Sequence, residues 1–134
     1  MANILADRSW KMEVVDGWHV KREATEVLLV PPDGGPCVSI SSPRIDRILS
    51  VEDLLYLNRE KMQNGHVPTR VRMGDFAGLA FEDTQDGISW LYWSLICGNV
   101  WLEIGYDYSL SKHIDNLAHV EAMLKTLRVD EDEL

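Results

Sequence analysis

Basic residues are scarce in this chain: 13 Lys and Arg stand against 22 Asp and Glu, for a formal net charge of −9 over 134 residues. Binding to nucleic acid or to an anionic membrane surface draws on Lys and Arg set against phosphate, and this field opposes it. Part of the excess sits at one end, where Asp130, Glu131, Asp132 and Glu133 account for −4 of the net −9. They predict a frayed acidic tail at 130–134 beyond a single domain at 1–129. Long apolar runs are missing too. No stretch approaches the roughly 20 residues of a membrane span. The start, MANILADRSWK, has neither a basic leader nor an apolar run, so no signal peptide is expected and a cytoplasmic protein is the default. Cysteines number only two, Cys37 and Cys97, far apart in apparent strands. Without an export signal, reduced buried thiols are the expected state.

Catalytic signatures are also lacking. The histidines are His19, His66, His113 and His119, and no Ser or Cys lies in a G-x-S-x-G context that would expose a nucleophile on a sharp strand-to-helix turn. Metal binding wants tight spacing such as C-x-x-C or H-E-x-x-H. His113 and His119 are six apart and do not share a helical face. Gly34-Gly35 precedes Pro36 and a strand rather than a helix start, so it cannot cradle a phosphate on helical N–H groups. Glu103 and Asp107 share a strand face but lie roughly 13 Å apart, too far for joint acid–base work. Neither an enzyme nor a metal or cofactor is expected.

What is present is a core. Hydrophobic residues make up 46% of the chain, with five Trp among them. A domain of this size buries roughly 65–70% of the surface its unfolded form exposes. The N-terminal third reads as short strands: Trp10, Met12 and Val14 alternate with Lys11 and Glu13; Trp18 and Val20 flank His19; then comes the run from Glu26 to Val30. The turn cluster Pro31 to Pro36 joins that run to Cys37–Ser41 as a hairpin. Ser50 reads as an N-cap, with Glu52 and Asp53 in the first turn of a helix from about Val51 to Gln63. Asn64-Gly65 stops that helix, and Thr69–Met73 is a short strand. A second helix, capped by Ser109 or Ser111, presents Ile114, Leu117, Val120 or Glu121, Leu124 and Leu127 on one face.

Between the helices lies an antiparallel meander: Ala77–Asp83, a loop at Thr84–Gly87, Ile88–Cys97, the two-residue turn Gly98-Asn99, and Val100–Tyr108. The middle strand, ISWLYWSLIC, is apolar or aromatic on both faces and so has to be covered above and below. The fold class expected is therefore α+β, an antiparallel sheet with helices packed on it in a three-layer α/β/α sandwich. The short turn pairs Cys97 with Val100, and a four-residue loop would pair Asp83 with Ile88. One face of the sheet then carries Gly78, Ala80, Leu91, Trp93, Ile104 and Tyr106, and calls for a helix. The other mixes Phe81, Trp90, Tyr92 and Trp101 with Glu103 and Asp107. Aromatic surface beside carboxylates suits a groove that grips an apolar segment with a cationic flank. The plainer alternative is core beneath the other helix, with the carboxylates at its wet margin.

This layout resembles the PsbP-like α/β/α sandwich group. The resemblance rests on Gly74 and Gly78 at a strand start, the aromatic strand Trp90–Trp93, Tyr106, and the closing helix ending Leu124–Leu127. The group includes photosystem subunits, a nuclear GTPase-binding protein and chaperones for type VI secretion effectors. It implies noncatalytic binding of another protein and supplies no catalytic residues. The expectation is thus a cytoplasmic, noncatalytic protein-binding module, an adaptor, a secretion-effector chaperone or an immunity protein. Its candidate partner-binding residues are Trp90, Tyr92, Trp101, Glu103 and Asp107, and a homodimer through the same face is an alternative use. The rival class is a small-molecule binder or enzyme with a pocket between sheet and helix, whose polar groups would be His19, Arg44, Arg47 and Tyr108.

Overall fold

Ten strands and three helices follow one another in the computed structural model, which describes residues 3–7, 9–109 and 114–129. Strands β1 (Asn3–Ala6) and β2 (Trp10–Val14) form a small antiparallel sheet, completed by β10 (Arg128–Val129) on the other side of β2. The remaining strands are β3 (His19–Arg22), β4 (Val27–Val30), β5 (Val38–Ser41), β6 (Thr69–Met73), β7 (Phe76–Gln85), β8 (Ile88–Cys97) and β9 (Val100–Ser109). They form a seven-stranded antiparallel sheet in the order β3-β4-β5-β9-β8-β7-β6. The chain is an α+β protein with β8 in the sheet's interior, as its two apolar faces require.

The inner face of the large sheet is buried by helix α3 (Ile114–Leu124) and the small sheet together. Trp93, Leu95, Leu102, Ile104 and Tyr106 share one apolar cluster there with Trp10, Met12, Val120 and Leu124. The expected helix is present, but it covers this face jointly with a second sheet. The N-terminal strand β1 and the two-residue β10 are not apparent from alternation alone, because each is short and gains its stability from pairing with β2. The sequence extends the closing helix to Leu127; it ends at Leu124, and Arg128 and Val129 instead pair with Lys11 and Trp10. Of the two expected caps, Ser109 ends β9 and Ser111 lies outside the described residues, as does the acidic tail.

The outer face is covered by α1 (Val51–Leu57) and α2 (Arg59–Gln63). Helix α1 opens with a reciprocal capping box: the Asp53 N–H donates to Ser50 Oγ at 3.2 Å, and the Ser50 N–H donates to Asp53 Oδ2 at 2.8 Å. That backbone hydrogen bond, with Arg47 at 3.7 Å, holds the Asp53 carboxyl below its ordinary pKa. The single helix expected over 51–63 is interrupted at Asn58. Its buried amide turns back onto the Leu54 carbonyl at 2.8 Å and donates to Ser94 Oγ at 3.1 Å, so the side chain competes with the helical backbone. Leu54, Leu79, Phe81 and Ile96 form the cluster beneath the helices.

The meander differs from its expected register in one step. Strand β7 runs on to Gln85, and the turn to β8 is the two-residue Asp86-Gly87, with φ of 54° and 79°. Positive φ at both positions is the type I′ geometry that Asp-Gly favours and that matches strand twist. Gln85 therefore faces Ile88, and Asp83 faces Trp90. A slip of two residues keeps every side chain on its expected face but changes its cross-strand neighbour. The β8–β9 register is as expected, with Cys97 opposite Val100. Gly78 sits against Ser94, where any Cβ would collide with the carbonyl oxygen, so the close approach of β7 to β8 requires glycine.

Candidate functional site: the open end of the outer sheet face

Along the outer face of β8 the burial is lost toward Ile88. Ile96 and Ser94 are buried, Tyr92 and Trp90 are half-buried, and Ile88 is 47% exposed. The alternation of the strand sends all five to the same face, and the short helical cover decides how far each is hidden. The five sequence-predicted partner-binding residues consequently fall into two groups.

Trp101, Tyr92 and Glu103 lie under or beside the helices. Trp101 Nε1 donates to Ser94 Oγ at 3.1 Å, the same hydroxyl that accepts from Asn58. This ties β8, β9 and the helix break into one buried polar knot. Tyr92 is covered by Lys61, whose Nζ lies 4.1 Å from the ring centroid. Burial first, and then Glu103, which accepts a hydrogen bond from the Tyr92 hydroxyl, push that phenol well above its ordinary pKa. These three side chains already have partners within the fold.

Trp90 and Asp107 belong to the open end. They share a cross-strand row with Asp83, so that Trp90 on β8 is flanked by a carboxylate on each neighbouring strand. Both aspartates are exposed. Asp83, Gln85, Ile88, Trp90 and Asp107 line a cavity of about 250 Å³. Trp90 stacks on Tyr92 at a ring spacing of 6.0 Å and an angle of 14°, and His66 approaches it at 6.0 Å. Asp83, Gln85 and Ile88 do not emerge from the sequence reading because a four-residue loop removes Gln85 from the strand and places Asp83 one row too far out. The signal that would have found them is the Asp86-Gly87 pair.

The chain matches no protein-family model and no curated protein. Among solved structures it resembles, over 93% of its length, part of a Bacteroides thetaiotaomicron VPI-5482 protein (TM-score 0.65, 14% identity); it spans only 46% of that chain. It also resembles LpqN of Mycobacterium tuberculosis, a protein involved in cell envelope biogenesis (TM-score 0.56, 11% identity, covering 96% of this chain and 90% of that one). A solution structure of PsbP (CyanoP) from Synechocystis sp. PCC 6803 aligns over 96% of this chain and 92% of its own, at 10% identity and a TM-score of 0.48. At these identities the likeness is one of fold, and the PsbP alignment is too loose to add to the topology described above.

The rival groups are not brought together. His19 lies exposed on the edge strand β3, Arg47 pairs with Asp53, and Tyr108 is buried on the inner face, stacked on Tyr106 at 5.6 Å. Burial, then Asp33 and Tyr108, push the Tyr106 hydroxyl up to about 12. Arg44 alone of the four lines a large open cavity of about 1100 Å³, together with Arg22, Glu23, Glu26, Ser42 and Asn99. Arg22 there is engaged with Asp7 at 3.5 Å and with the Ala6 carbonyl at 2.8 Å. Both cysteines are free and half-buried, and burial pushes the Cys97 thiol up. Among the described residues no group of three or more His, Cys, Asp or Glu is placed to hold a metal ion, and no helix is long and apolar enough to cross a membrane.

Proposed function

We propose that this chain is a noncatalytic module that binds another protein at the open end of its outer sheet face, as an adaptor, a chaperone for a secreted effector or an immunity protein of the cytoplasm. One observation carries the reading: the row Asp83–Trp90–Asp107, with the exposed Ile88 beside it, continues the sheet beyond its helical cover. An aromatic centre with a polar rim is the composition of an interface core. Of the remaining predicted residues, Tyr92 stacks on Trp90, while Trp101 and Glu103 are engaged by Ser94 and Tyr92 further along the sheet.

The test places a photo-crosslinking amino acid at Ile88, and separately at Glu13 on the small sheet, in the native host. Adducts of one defined protein from position 88 and none from position 13 are expected. Absence of adducts at 88, or identical adducts from both, sinks the reading. The second reading, a small-molecule binder, is favoured by the cavity around Arg44. Under that reading a metabolite screen raises the unfolding midpoint strongly, since a ligand of the folded state alone stabilises it.

A further inference from the structure

We infer that the occupant of the open end is an extended segment of a partner protein whose arginine side chain stacks on Trp90 between Asp83 and Asp107, with an aliphatic side chain two residues away on Ile88. This rests on the protein-binding reading above and adds the chemistry of what is bound. The outer face carries a short aromatic ladder, Tyr92 on Trp90. The molecule itself shows what such a ring accepts, for Lys61 caps Tyr92 at 4.1 Å. Indole is the stronger partner for a cation. Among the described residues, however, no Lys or Arg lies over Trp90, the two such contacts being Arg59 on Tyr56 and Lys61 on Tyr92.

The charges around that ring agree. The ion pairs among the described residues engage neither Asp83 nor Asp107. The two carboxylates stand on strands either side of Trp90, about 10 Å apart by the spacing of neighbouring strands. A planar guanidinium over the indole can direct N–H groups to both sides, whereas an ammonium is a single point and reaches one carboxylate at a time. Ile88 lies two residues from Trp90 on the same face, roughly 6.8 Å along the strand. An extended ligand repeats its own side chains at that interval. Its arginine over Trp90 thus brings an aliphatic neighbour at the second residue onto Ile88.

The probe is the capped peptide Ser-Arg-Ser-Leu-Ser, titrated at low salt into the full ¹⁵N-labelled chain. The Trp90 indole N–H signal, assigned with Trp90→Phe, is followed. The expected result is a saturable shift centred on Trp90. The affinity should fall about tenfold or more when citrulline replaces arginine, or in the Asp83→Asn/Asp107→Asn double variant. A lysine peptide is expected to bind more weakly than the arginine one. Both aspartates are exposed, so the double variant keeps the fold, as its spectrum will show. Equal binding of the citrulline peptide, or shifts away from Trp90, overturns the inference. So does a Trp90 shift that follows protein concentration without peptide, which would make a second copy the occupant. Crosslinks at position 88 together with failure of the arginine peptide leave the protein-binding reading standing and remove this one.

Discussion

The two faces of β8 are both rich in apolar and aromatic residues and have different fates. On the inner face Leu91, Trp93 and Leu95 are all buried, because α3 and the small sheet together reach across that side. On the outer face two short helices reach only part of the way, so the row passes from buried Ile96 to half-exposed Ile88. Apolar character along a strand therefore does not by itself say where core stops and surface begins. The length of the covering helix does, and here that helix is cut at Asn58, whose side-chain amide is shared between the Leu54 carbonyl of its own helix and Ser94 of the sheet.

The contrast is open to direct attack. Its largest expected consequence is in truncating the two tryptophans. Trp93→Ala should cost ~3–5 kcal/mol in urea unfolding, whereas Trp90→Ala should cost about 1–2 kcal/mol, since part of its ring already meets solvent. Equal costs would mean that both faces are core. Next, Gly78→Ala should destabilise by ~1–3 kcal/mol or more, because backbone on β8 leaves a Cβ no room; a neutral result would show that β7 and β8 are not so closely paired. Asn58→Ala should cost about 1–3 kcal/mol by removing the amide shared by Leu54 and Ser94, and should shift the Trp101 indole resonance.

Smaller effects sharpen the picture at the margins. Ser50→Ala should cost about 1 kcal/mol through loss of the cap. Its partner Asp53 titrates below 3.8 when folded, so its contribution is full above that pH and fades as pH falls through the lowered value. The stability advantage of the wild type over Asp53→Asn should accordingly shrink in acid and hold steady near neutrality, as paired urea titrations will show. The smallest stability effect is expected from Asp83→Asn with Asp107→Asn, within about 0.5 kcal/mol of wild type, although the same pair should abolish most peptide binding. A large loss of stability there would move the row from binding to structure.

Much of the fold is legible in the sequence, for reasons local to the chain. The β8–β9 hairpin followed from Gly98-Asn99, the helix start from Ser50, and the α+β class from a strand apolar on both sides. What the sequence does not show is neighbourhood: a four-residue loop before β8 sets Phe81 opposite Trp90, whereas the two-residue Asp86-Gly87 turn sets Asp83 there. Trp101 and Glu103 share a face with Trp90, yet hydrogen bonds to Ser94 and from Tyr92 engage them within the fold. Strand β1 buries only Leu5 and so shows no alternation, and β10 has only two residues.

The amino-acid order alone determined which side chains share a face, since alternation along a strand is a property of the backbone and survives a two-residue slip. It also determined the turns and caps, which depend on a few neighbouring residues. Only the tertiary structure decided which of two equally apolar faces would be sealed. That depends on how far a covering element extends and what crosses the layers to meet it, and neither is written in the strand being covered.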